Sequence, residues 1–270
     1  MTRIALVVSD VDGTLLTKDK TLTDKAARAV RQLADSGVGF TIVSSRPTIG
    51  MRFLVEPLRI TLPVGSFNGS SISDPQMNPI EQHLIPASAA QRSIDLLNEF
   101  GVDIWLFTHD KWLVQNADAE YNPFEKRTIK VDPVVVDSFA PYLSSACKIV
   151  GSTSDAAKLE RCEAAMQNAL GTQALAVRSQ SYYLDITPPG YDKGTFVQAM
   201  AKRLGISTDA VATVGDMHND VAMFRNSGLS IAMGNATDDI KRQANHVTAS
   251  NQDEGFAGAM AIVMKNNEGK

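Results

Sequence analysis

The sequence predicts an α/β protein in which a doubly wound parallel sheet is interrupted by a second domain of α+β character. Three observations carry this. Apolar runs without alternation, Ile4-Ala5-Leu6-Val7-Val8 first among them, read as strands buried on both faces, as in a parallel sheet. Stretches of helical period alternate with such runs at both ends of the chain. Between about residue 80 and residue 188 that rhythm stops, and a helix followed by paired strands appears twice instead. A chain of 270 residues has room for one large domain or two moderate ones.

Taken in order, the first strand ends in Asp10-Val11-Asp12-Gly13-Thr14, at the edge where open α/β sheets bind ligands. Thr23 can cap a helix whose Ala26, Ala27, Val30, Leu33 and Ala34 fall at helical spacing, with Gly37 closing it. Residues 39–43 make a second strand that ends in Ser44-Ser45-Arg46, and Pro47 stands at the start of the next helix. A third strand at 63–67 ends in the turn-prone pair Asn68-Gly69. The inserted stretch opens with a helix at 86–100, followed by strands at 102–107 and 112–115, close enough for a hairpin. A strand at 148–150, a helix at about 154–170 and strands at 174–177 and 182–186 complete it.

Thr187-Pro188-Pro189-Gly190 is a stiff linker back to the first sheet. Lys193 then heads a helix whose Phe196, Met200 and Leu204 share a face. A strand at 210–214 ends in Gly215-Asp216-Met217-His218-Asn219-Asp220. Short strands near 229–232 and 246–248 and a helix at about 254–264 finish the alternation. The expectation is a Rossmann-like core built from residues 1–81 and 189–270, with the insert at 82–188.

Composition narrows the partners. Twenty-six Lys and Arg against thirty Asp and Glu give a net charge of −4, and there is no basic stripe, so neither nucleic acid nor an anionic membrane is expected. The first apolar run is too short for a signal peptide and no other run approaches a membrane span, which points to the cytoplasm. Cys147 and Cys162 form no CxxC pair and flank no His cluster, and read as buried, idle thiols.

The chemistry-bearing residues fall into five groups at strand ends or helix starts: Asp10 with Asp12, Ser44, Asn68, Lys193, and Asp216 with Asn219 and Asp220. Parallel strands bring such groups into one crevice. Period two points Asp10 and Asp12 to one side, and two like charges that close call for a cation or a raised pKa. Carboxylates from two strands make a hard oxygen site of the kind magnesium accepts. An ionised Asp10 beside such an ion can attack phosphorus and form an aspartyl phosphate. Asp12 is placed to protonate the leaving oxygen and then activate water. Lys193 and the Ser44 hydroxyl would neutralise and orient the transferring group. Plainer readings stand beside these. Asp216 and Asp220 could stabilise a helix start and Ser44 could cap one. Lys193 could be a surface lysine, although lysine at a helix start runs against the dipole. Arg46 and Asn68 could be turn residues, His218 an exposed loop residue, and Trp105, Trp112, Tyr182 and Tyr183 interior of the insert.

Together these motifs resemble the haloacid dehalogenase superfamily and, within it, the Cof-type sugar-phosphatase branch. The first motif looks like residues 10–14, the second like Ser44-Ser45-Arg46, the third like Lys193-Gly194 and the fourth like residues 215–220. Ser44-Ser45 replaces the commoner Thr-Gly, which keeps the hydroxyl and stiffens the turn. The resemblance implies Asp10 as nucleophile, Asp12 as acid and base, and magnesium held by Asp10, the Asp12 carbonyl and Asp216 with Asp220 in support. Ser44, Ser45, Arg46, Asn68, Gly69, Lys193 and Asn219 become the candidate phosphate and substrate contacts, and the insert becomes a cap. The expected activity is magnesium-dependent hydrolysis of a small phosphorylated metabolite, a sugar phosphate first. The alternatives are a phosphomutase or phosphotransferase using the same intermediate, and a non-catalytic receiver or phosphate-binding module. The receiver is disfavoured because the third strand offers no Asp.

Overall fold

In the computed structural model, which describes residues 2–268, the opening apolar run forms β1 (Leu6–Ser9), buried at all four positions. The outermost residues of the expected core, 1, 269 and 270, lie outside that range. The chain continues through α1 (Asp24–Asp35), β2 (Gly39–Ile42), α2 (Arg52–Leu58), β3 (Val64–Ser66), β4 (Ser71–Ser73) and β5 (Pro79–Gln82). Thr23 caps α1, its hydroxyl accepting from the Ala26 amide at 3.1 Å. The third strand is shorter than its apolar run and joins the main sheet only through a bridge between Val43 and Gly65. Phe67 and Asn68 both take positive φ after it and turn the chain into antiparallel β4. Strands β4 and β5 were not expected, because three or four residues carry too little periodicity.

The insert contains α3 (Ala87–Phe100), β6 (Asp103–Phe107), β7 (Trp112–Val114), α4 (Asn122–Ile129), β8 (Val134–Val135), β9 (Lys148–Ser152), α5 (Ala156–Leu170), β10 (Leu175–Gln180) and β11 (Tyr183–Thr187). Its six strands lie in the order β10-β11-β9-β6-β7-β8, all antiparallel except the β7–β8 pair. The expected 112–115 hairpin is there, and α3 ends on Gly101 in the left-handed conformation. Alternate strand residues, among them Ile104, Leu106, Ile149, Leu184 and Ile186, pack with Leu97 of α3 and Leu159 and Met166 of α5 in one apolar cluster. The opposite face carries Trp105, Phe107 and Tyr183, and the Trp105 Nε1 donates to Asn122 Oδ1 of α4 at 2.8 Å. Helix α4 is eight residues with a proline near its start and no clear apolar stripe, so periodicity misses it. Cys147 and Cys162 are free and buried.

The return leg runs through α6 (Lys193–Leu204), β12 (Val211–Gly215), α7 (Val221–Arg225), β13 (Leu229–Ala232), α8 (Asp238–Lys241), β14 (His246–Val247) and α9 (Gly255–Glu268). The main sheet is parallel throughout, in the order β14-β13-β12-β1-β2, so its central pair joins the two ends of the chain. Period two divides β1 between two layers: Val7 packs with residues of α1 and α9, while Leu6 and Val8 pack with residues of α6 and α7. This is the doubly wound arrangement.

Two compact units result. One comprises the chain up to Ser45, Met51–Ile80 and everything from Tyr191 on; the other is Glu81–Gly190 together with Arg46–Gly50. The short segment joins the second unit because the Arg46 Nη1 donates to the carbonyls of Gly50 (3.1 Å) and Thr128 (2.6 Å), and Gly50 lies against Ile129. Among the described residues no helix is long and apolar enough to cross a membrane.

Candidate active site

The site lies in the first unit, where β1 and β12 end side by side. Their register pairs Ser9 with Val214, and the Asp10 amide donates to the Val214 carbonyl at 2.9 Å, so Asp10 and Asp216 leave adjacent strands at the same level. Lys193 is the first residue of α6, behind an Asp192–Thr195 capping box. It is only 2% exposed. Its Nζ donates to Asp10 Oδ1 and Asp220 Oδ1, both at 2.6 Å, which accounts for a lysine at the wrong end of a helix dipole.

Asp10, Asp216 and Asp220 bring carboxylate oxygens within 4.8 Å of one another, and all three are buried. Each is held differently. Among the described residues no donor reaches Asp10 Oδ2, which leaves one oxygen of that carboxylate open. Asp216 accepts from the Thr14 hydroxyl at 2.8 Å and from Asn235 Nδ2 at 3.1 Å. Asp220 gives Oδ1 to Lys193 and takes the amides of Asp216 (2.7 Å) and Met217 (2.8 Å) on Oδ2. Its lone pairs are thus largely used in shaping the loop, which suits support rather than direct ligation. Gly13 has φ +82°, and a Cβ there would collide with the Asp216 carboxylate. A Cβ on Gly215 would collide with Asp220 in the same way.

Burial raises the Asp10 pKa well above the usual carboxylate range; Lys193 opposes this, while Asp220 and Asp216 add to it. Asp216 is pushed up to about 6 by burial and by Asp220, against the Thr14 hydrogen bond and Lys193. Burial pulls Lys193 down, yet Asp10 and Asp220 hold it above its ordinary value. Among the described residues, three buried carboxylates thus share one ammonium. Hard oxygen donors carrying excess negative charge fit magnesium.

The structure distributes the other expected residues as follows. The Asp12 carboxylate lies outside the cluster, paired with Lys20 at 2.7 Å, so any part it takes in holding a cation falls to its carbonyl. Ser44 is buried, its amide donating to the Gly65 carbonyl and its carbonyl accepting from the Asn68 amide, so the second and third strand ends are tied together. Asn68 Oδ1 accepts from Asn219 Nδ2 at 3.0 Å, joining two expected contacts from distant parts of the chain. A Cβ on Gly69 would press on the Asp192 carbonyl, just ahead of Lys193. Ser45 is partly buried and His218 exposed. Arg46 is buried, and its Nη1 donates to the Gly50 and Thr128 carbonyls within the second unit. Sequence reasoning gave Thr14 no task and passed over Asn235, which also donates to the Gly13 carbonyl at 2.9 Å. The signal was available, since Gly234-Asn235 follows β13 at one more strand's carboxyl end.

The raised Asp216 carboxyl makes stability depend on pH in chelator. Its stabilising contribution is complete below its unfolded pKa near 4 and is lost as pH rises through about 6, a swing of roughly 3 kcal/mol. The thermal midpoint of the protein in chelator, relative to Asp216→Asn, should fall across that window. Magnesium should lift it most above about pH 6, where the cation takes the proton's place. Parallel pH profiles for the two proteins would count against this electrostatic picture.

Comparison with known proteins follows the same lines. The phosphatase YcsE of Bacillus subtilis, which carries the name 5-amino-6-(5-phospho-D-ribitylamino)uracil phosphatase, is 27% identical over 257 residues, covering 95% of this chain and 94% of that protein. The pyridoxal phosphate phosphatase YbhA of Escherichia coli is 25% identical over 262 residues, covering 93% of this chain and 96% of its own. A crystal structure of a haloacid dehalogenase-like hydrolase from Bacteroides thetaiotaomicron shares the fold with a TM-score of 0.91 over 96% of this chain and 99% of that one, at 24% identity. The family model described as haloacid dehalogenase-like hydrolase matches residues 7–260, from within β1 to within α9, and the chain belongs to that family.

Proposed function

We propose that the protein is a magnesium-dependent phosphatase of small phosphorylated metabolites that works through an aspartyl phosphate on Asp10. The observation that carries this is the Asp10 carboxylate, with Oδ1 on a buried lysine and Oδ2 open, inside a cluster of three carboxylates. The names of both relatives are those of phosphatases of small phosphorylated molecules.

In this reading the Asp10 Oδ2 attacks phosphorus and the bond to the leaving oxygen breaks, with Asp12 supplying that oxygen's proton. Asp12 then takes a proton from water, whose oxygen attacks the phosphoaspartate and releases inorganic phosphate, restoring Asp10. The Asp12–Lys20 pair is about a quarter to a third exposed, and pairs so placed hold weakly, so Asp12 can leave it at small cost. Lys193 keeps Asp10 oriented and offsets charge on the transferring group, and Ser44, Asn68 and Asn219 orient it. Asp10, Asp216 and the Asp12 carbonyl would hold magnesium, with Asp220 in support; when bound, the ion supplies positive charge against the phosphoryl oxygens.

Product analysis tests the proposal. Purified protein with magnesium and a panel of phosphate monoesters should release inorganic phosphate and the dephosphorylated compound in equal amounts. Isomerised sugar phosphate without free phosphate would move the reading to a phosphomutase. No turnover of any ester, unaltered by Asp10→Asn, would move it to a phosphate-binding module.

A further inference from the structure

The loop that leaves β1 doubles back on itself within the first unit. Val11, Leu15 and Leu16 are buried in that unit's core. The amides of Leu15 (3.0 Å) and Leu16 (2.9 Å) both donate to the Val11 carbonyl, and Asn251 Nδ2 donates to the Leu16 carbonyl at 2.8 Å. From this anchored stretch the chain turns. The Thr17 amide donates to the Thr21 carbonyl at 3.0 Å and the Lys20 amide to the Thr17 carbonyl at 2.9 Å. The turn brings Lys20 Nζ to Asp12 Oδ1 at 2.7 Å. Lys20 reaches this place with φ +58°, the left-handed region in which glycine or asparagine would sit with less strain. A backbone outlier kept at a lysine points to a use for its ammonium.

We propose that Lys20 is a positioning residue for Asp12, whose ammonium keeps that carboxylate off the Asp10, Asp216 and Asp220 cluster and ready to exchange a proton with the leaving oxygen. The inference rests on the reading of Asp12 as acid and base, and adds the residue that orients it. The cluster already sets three buried carboxylates against Lys193. Positive charge there, from Lys193 or a bound cation, attracts any carboxylate within reach, and Asp12 is two residues from Asp10. A carboxylate drawn to that charge becomes one more counter-ion and no longer serves the leaving group. Lys20 supplies a competing cation outside the cluster. The pair is partly exposed, so its hold is weak. Such a hold suits a proton-transferring group, which is oriented at rest and released at little cost when substrate arrives. It also sets the size of the effect, since a pair of this kind is worth at most about fivefold in rate.

Leaving-group dependence separates positioning from a structural role. An alkoxide needs a proton as it departs, whereas p-nitrophenolate departs without one. The measurement is kcat/KM for an alkyl phosphate from the ester panel divided by that for p-nitrophenyl phosphate, with magnesium present. Lys20→Met, which keeps the length of the side chain, should lower this ratio about fivefold. Lys20→Arg should bring it back to within twofold of wild type, and Asp12→Asn should lower it further. Lys20→Gly relieves the left-handed strain, so it should lower the ratio as Lys20→Met does without lowering the thermal midpoint. A ratio within twofold of wild type in Lys20→Met would overturn the inference, as would equal losses on both esters or a loss that Lys20→Arg does not restore. If Asp12→Asn lowers the ratio and Lys20→Met does not, the acid reading of Asp12 stands and the positioning role alone fails. If Asp12→Asn leaves the ratio unchanged, or wild type hydrolyses no ester of the panel, the reading of Asp12 fails and the role of Lys20 falls with it.

Discussion

Asp10→Asn should reduce phosphate release by a factor on the order of 10⁴ or more while leaving the metal-free protein at least as stable as wild type. The two halves of this expectation have one cause. The amide keeps an oxygen for the Lys193 hydrogen bond, so the loop retains its geometry, but it has no carboxylate to attack phosphorus. In the folded protein the ionised Asp10 is penalised by burial and by Asp220 and Asp216, more than Lys193 relieves it. A neutral side chain escapes that penalty at neutral pH, so the unfolding midpoint in chelator should rise, and the difference should shrink as pH falls and wild-type Asp10 takes up its proton. Acid quench during turnover adds a second check: covalent phosphate should be carried by wild type and not by the variant. Turnover within tenfold of wild type would show that another group attacks phosphorus.

That such a prediction can be framed reflects how the site is written into the sequence. The β1 run is apolar without alternation because both its faces are covered, and the same burial makes the polar residues that follow it conspicuous. Asp10, Asp216, Ser44 and Asn68 all stand at strand ends, and Lys193 stood out because a helix start disfavours it. What sequence reasoning lost was of another kind. The segment at β4 and β5 and the helix α4 are too short or too weakly patterned for a period to register. The Arg46 hydrogen bond to the Thr128 carbonyl was equally out of reach, since backbone carbonyls carry no sequence signature. Asn235 reaches Asp216 only because β13 lies beside β12. The Lys148–Asp185 ion pair of the insert needed strand register, since without it these are two unrelated residues.

The largest stability effect is expected at Lys193. Lys193→Met replaces the ammonium with an apolar group of similar length, so the space stays filled while Asp10 and Asp220 lose the cation that both of them touch. Removing one partner of a buried ion pair typically costs about 3–5 kcal/mol, because the remaining charge is left unpaired and out of water. Here two hydrogen bonds to carboxylates go at once, and Asp220 also loses an anchor for the loop that it holds through the Asp216 and Met217 amides. Denaturant unfolding in chelator at neutral pH should show the full loss. Magnesium should recover part of it by supplying positive charge, and acidification below about pH 6 should recover part by protonating Asp216. Turnover should stay depressed under both conditions, since neither restores the group that orients Asp10. The double variant Asp10→Asn, Lys193→Met should be less destabilised than the sum of the single changes, because removing Asp10's charge removes part of what Lys193 neutralises. Additive effects would mean that the lysine stabilises the fold through its packing, and that the charge balance built from the two ends of the chain plays no part in holding them together.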